Sequence, residues 1–158
     1  MNTEILRIAE QAKDTYQGDP WFGRNMKELL SEIDERIAFD KPNDQHSILE
    51  LLWHIITWKE FTITRLRDDA TRKLYHFEEL DWRELDHNDK SLWKKGLQRL
   101  AEVQNELVEV LQQQQDRILI EIVPERTYTF SKLLYGIVQH DIYHLGQIAY
   151  VKKMMSEQ

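Results

Sequence analysis

The chain contains no cysteine. That absence excludes a disulfide framework, a thiolate metal ligand and a cysteine nucleophile, so any thiol chemistry needs a thiol supplied from outside. Glycine and proline are scarce, at 5 and 3 of 158 residues. So few turn-formers favour long helices over many short strands. Long apolar runs are missing too. The longest nearly apolar stretch, Leu51 to Trp58, is far shorter than a membrane span, and the charged segment MNTEILRIAEQAKD has no apolar core of the kind a secretory leader requires. The expectation is a cytoplasmic protein without a membrane partner. A basic surplus is also absent: Lys and Arg number 21 against 28 Asp and Glu, a formal charge of -7, and no segment gathers basic residues free of acidic ones. No nucleic-acid partner is expected.

What the chain does contain is enough apolar residue, 41%, to build a core, and its length suits one domain over residues 1–158. Helical spacing of apolar residues marks four substantial helices. The first covers about residues 3 to 16, with Ile5, Ala9, Ala12 and Tyr16 on one face, and Gly18-Asp19-Pro20 ends it. A shorter amphipathic piece follows through Met26, Leu29, Leu30, Ile33 and Ile37. The second main helix opens at Ser47-Ile48-Leu49-Glu50, a capping-box pattern, and runs to about Arg67 with Leu51, His54, Trp58 and Phe61 on one face. The third starts near Asp89 and carries Trp93, Leu97, Leu100, Val103, Leu107 and Val110; the fourth starts at Thr129 or Ser131 and carries Ile137, His140, His144, Ile148 and Val151. The fold class is all-α, a four-helix bundle. Residues 68 to 88 are long enough to cross over between parallel helices two and three. The β-prone piece around Ile118 to Val123 is expected to be an extended connection, without a sheet.

Chemistry concentrates in three histidines. His140 and His144 stand four apart, on one helical face. With 6 histidines, roughly 0.2 such pairs would arise by chance, so placement in an apolar seam carries more weight than spacing. Imidazoles facing a core must satisfy their polar nitrogens away from water, and a shared ion does so for two at once; hydrogen-bonded core histidines are the plainer alternative. His54, between Leu51 and Trp58, is the third candidate. Three histidines leave coordination positions open, as a catalytic site requires, and they suit one divalent ion such as zinc, nickel, iron, copper or manganese. Asp141, three residues before His144, is placed to orient that ring or hold a metal-bound water, or else is solvated. Gln147, three residues after His144, is placed to assist it or to bond a neighbouring helix. Gly136, one turn before His140, either opens space for a substrate or permits close helix packing. His46, His76 and His87 are expected at the surface, and the five tryptophans in the core.

Several segments together resemble the DinB/YfiT-like superfamily of metal-dependent enzymes. They are Gly18-Asp19-Pro20-Trp21-Phe22-Gly23, His46 through His54 with Trp58, Tyr128-Thr129-Phe130-Ser131, and Gln139 through Ile148. The resemblance runs over nearly the whole chain. It implies a four-helix bundle of up-down-down-up topology, a homodimer, and one metal ion held by His54, His140 and His144. Relatives that use low-molecular-weight thiols, including bacillithiol S-transferases, imply transfer of such a thiol to an electrophilic small molecule. A metal-dependent hydrolase and a non-catalytic helical binding or dimerisation module are the rival readings.

Overall fold

A computed structural model describes residues 2–156, and among them every regular element is a helix. Four are long: α1 (Thr3–Gln17), α4 (Ile48–Leu66), α6 (Ser91–Gln112) and α7 (Phe130–Ser156). Three are short: α2 (Met26–Ser31), α3 (Glu35–Ala38) and α5 (Leu74–Glu79). The long helices pack in a ring, α4 against both α6 and α7, and α1 against the same two.

The apolar stripes are what close this ring. Ile5, Ala9, Ala12 and Tyr16 of α1, Leu100, Val103, Leu107 and Val110 of α6, and Ile137, Ile148 and Val151 of α7 are all buried in one core. Helix α4 lies deepest, with buried residues around most of its circumference. Its start is fixed by the capping box: the Glu50 amide donates to Ser47 Oγ at 3.1 Å and the Ser47 amide donates to Glu50 Oε2 at 2.8 Å. Helix α6 begins two residues later than expected, at Ser91, because Asp89 Oδ1 takes the Ser91 amide at 3.0 Å. Helix α7 begins at Phe130, between the two expected starts.

The connections hold more structure than the sequence pattern suggests. The expected short helix after Trp21 and Phe22 is two, α2 and α3, each capped by its own side chain, Asn25 and Asp34. The crossover contains α5, whose fully buried Phe77 packs edge-on against Phe61 of α4 with ring centroids 5.4 Å apart. Residues Asp116–Ile120 form a short 3-10 helix, and a single antiparallel bridge pairs Ile122 with Thr129, without a sheet.

One charged pair sits inside the ring of helices. Lys59 of α4 is fully buried and meets the carboxylate of Asp141 on α7; its Nζ also donates to Gln104 Oε1 of α6 at 2.8 Å. Gln104 in turn donates to the Ala12 carbonyl of α1 at 3.0 Å. The chain of contacts thus touches all four long helices.

A three-histidine candidate metal site

His54 on α4 and His140 and His144 on α7 come together where those two helices face each other, with one ligand atom from each lying within 4.8 Å of the others. Nε2 of His140 is 2.9 Å from Nε2 of His54 and 3.1 Å from Nε2 of His144. His54 and His144 are buried, and His140 is half-buried.

The far nitrogens explain why the near ones converge. Nδ1 of His54 faces Asp81, 2.7 Å from Oδ1 and 3.2 Å from the backbone carbonyl. Nδ1 of His144 faces Gln147 Oε1 at 2.5 Å. Both partners are acceptors, so each Nδ1 carries the proton and each Nε2 presents a bare lone pair. Nδ1 of His140 has no partner, so nothing on that side fixes its tautomer. Nε2 of His140 contacts the other two, and at most one proton is shared among the three atoms. One of the two contacts at most is therefore a hydrogen bond, and the other sets lone pair against lone pair, a repulsion that a shared cation would remove. A tetrahedral ion with ligands at about 2.0–2.1 Å would set its nitrogens about 3.3 Å apart, a few tenths of an ångström wider than the separations seen. The donor set fits such an ion, and second partners that orient the ligating imidazoles are the usual support for one.

Electrostatics favour the neutral, ligating form of all three rings. Burial pushes the His140 pKa down to about 3, with the neighbouring His144, His54 and Lys59 adding to the effect. His54 is lowered by burial and by His144, against the opposing pull of Asp81. His144 is lowered by burial despite its bond to Gln147.

Asp141 lies neither in solvent nor against a histidine nitrogen. It is buried as the partner of Lys59, because α7 turns position 141 inward toward α4 and α6 while position 144 faces His54. Gln147 bonds His144 rather than a neighbouring helix. Of the three histidines expected at the surface, His46 is exposed, while His76 and His87 are half-buried. Nδ1 of His87 meets the Phe39 carbonyl at 3.0 Å, and Nδ1 of His76 accepts the Lys73 amide at 3.1 Å.

Two residues of the crossover join the site without advance notice in the sequence. Asp81 serves both His54 and Trp58, whose Nε1 donates to Oδ1 at 2.7 Å. Trp82 stacks on His54 with centroids 3.8 Å apart and on His46 from its other face at 3.7 Å. The crossover therefore covers the histidine cluster as well as linking helices.

Beside His140 lies a cavity of about 260 Å³, lined by Trp58, Phe61, Tyr128, Leu133, Gly136 and Ile137 among others. His140 forms part of its wall, so the cluster borders an apolar space through that one ring.

A sequence profile described as the DinB superfamily matches residues 21–148. No curated protein and no solved structure matches the chain. No described helix is long and apolar enough to cross a membrane.

Proposed function

The chain belongs to the DinB superfamily, and from that membership and the three-histidine cluster we propose a metal-dependent enzyme that transfers a low-molecular-weight thiol to an electrophilic small molecule. The observation that carries the reading is the convergence of three Nε2 atoms, two of them stripped of protons by Asp81 and Gln147, at the wall of an apolar cavity. A divalent ion held by His54, His140 and His144 supplies the positive charge that keeps a thiol deprotonated near neutral pH. The protein's part is to hold three neutral imidazoles in place, to orient two of them, and to exclude water along the Trp58, Phe61 and Tyr128 wall. In the transfer a sulfur–carbon bond forms as the bond to the leaving group breaks, and the proton of the thiol passes to solvent.

Two features support thiol transfer over hydrolysis. The chain has no cysteine of its own, so an external thiol meets no internal competitor. Among the described residues no carboxylate lines the cavity to serve as a general base; Asp81 is engaged with His54 and Trp58, and Asp141 with Lys59. The crossover that carries Asp81 also suits an up-down-down-up course in which α4 and α6 run parallel.

The test is turnover of aryl halides, epoxides and esters by metal-loaded protein, with and without a panel of small thiols. Thiol-dependent loss of the halide or epoxide, abolished in His140→Ala and His144→Ala, is expected. Ester cleavage without thiol would favour the hydrolase, and no metal-dependent turnover of any substrate would favour a binding module.

A further inference from the structure

Gly136 occupies the interior of α7, where glycine is a poor helix former, and a Cβ built there would meet nothing within 4 Å. Close helix packing is therefore not its reason for being there. The contrast is Gly96 of α6, where an added Cβ would fall 2.7 Å from Leu52 Cδ2 of the facing helix. The empty space at Gly136 is the cavity beside His140, and its walls are aromatic and aliphatic.

The charge around this cavity is one-sided. Among the described residues no acidic side chain lines it, although acidic residues outnumber basic ones in the chain, and Lys132 is the one lysine or arginine in the lining. Arg126 is not part of the lining but lies near three of the rings that are, its Cζ 5.7 Å from the Trp58 ring, 5.4 Å from Phe61 and 5.8 Å from Tyr128. Its Nε is buried without a hydrogen-bond partner.

From these observations we infer that the cavity is the binding site for the second substrate: an apolar, ring-bearing molecule with an anionic end, its body against Gly136 and its anion toward Lys132 and Arg126. This rests on the proposed function only for the word substrate; the ligand class follows from the cavity. A phenyl ring on a short chain fits a volume of about 260 Å³ and gains from contact with aromatic walls. Gly136 then sets the size of what can lie beside His140. Lys132 and Arg126 select carboxylates over amines.

The experiment is calorimetric titration of the full chain, zinc-loaded and metal-free, with phenylbutyrate, phenylbutanol and phenylbutylamine. Saturable binding is expected, with the carboxylate ahead of the amine by roughly tenfold. Gly136→Leu should abolish it, and Gly136→Ala, whose methyl meets no neighbour, should weaken it while the protein stays folded. Arg126→Gln combined with Lys132→Gln should erase the preference for the carboxylate. Unchanged affinity in both Gly136 variants, or no saturable binding of any of the three compounds, would overturn the inference. Equal affinity for carboxylate and amine would overturn its anionic part. Metal content and thiol-dependent turnover, measured on the same samples, separate the two readings. Ligand binding lost in Gly136→Leu without any thiol turnover in the native chain would uphold the site and remove the transferase. Turnover with unaltered binding would do the reverse.

Discussion

A histidine that ligates a metal needs its second nitrogen controlled, and Asp81 does this for His54 from 27 positions away in the chain. Asp81→Asn keeps the shape but replaces a carboxylate by an amide that can also donate. Metal affinity is expected to fall about 10- to 100-fold with the fold intact, measurable by competition with a chromogenic chelator. An unchanged affinity would leave Asp81 a purely structural residue. The same three rings make the metal-free protein sensitive to acid. Each has its folded pKa below the ordinary value of 6.5, His140 down to about 3, so the unfolded chain binds more protons as pH falls. Their contribution to stability is whole above about pH 6.5 and is lost progressively as pH falls toward 3. Thermal melts of metal-free protein across this range should fall more steeply than those of a His140→Asn variant. Parallel curves would contradict the assignment.

Between helices, the buried Lys59–Asp141 pair and the two crowded or open glycines make separate demands. Removing one charge of a fully buried pair leaves the other unpaired, so Asp141→Asn or Lys59→Met should cost about 3–5 kcal/mol in chemical denaturation. Replacing both together should recover much of that loss. A small effect of either single change would mean that water reaches the pair. Gly136→Ala should raise stability by up to about 1 kcal/mol, since the helix gains and nothing is displaced. Gly96→Ala should lower it by about 1–3 kcal/mol as Leu52 and Trp53 are pushed aside, and equal effects at the two positions would contradict the packing described. The long helices were legible because their stripes repeat over several turns and because Ser47 and Glu50 spell a cap. Helix α5 was not: six residues give too little periodicity, and Phe77 owes its burial to Phe61 rather than to its own neighbours. Asp141 was misjudged for a related reason. Its place three residues before His144, on the neighbouring part of the helix surface, says nothing of a lysine on α4, and Lys59 is buried with Asp141 and Gln104 as its partners.

At the scale of the molecule, α4 and α7 supply the three histidines, the crossover supplies Asp81 and Trp82 over them, and α7 leaves an apolar cavity open one turn away. The histidine cluster was readable because all three histidines interrupt apolar stripes; the cover was not, since Asp81 and Trp82 lie in an irregular segment with no repeat to mark them. The central claim is that the three Nε2 atoms exist to share one ion. It is tested most directly by elemental analysis of untagged protein, purified without chelator and then offered zinc, nickel, manganese and iron in turn. About one ion per chain in the native protein, and none in His54→Ala, His140→Ala or His144→Ala variants that remain folded, is the predicted result. A native chain that retains no metal under any of these conditions, or variants that retain it undiminished, would contradict the account.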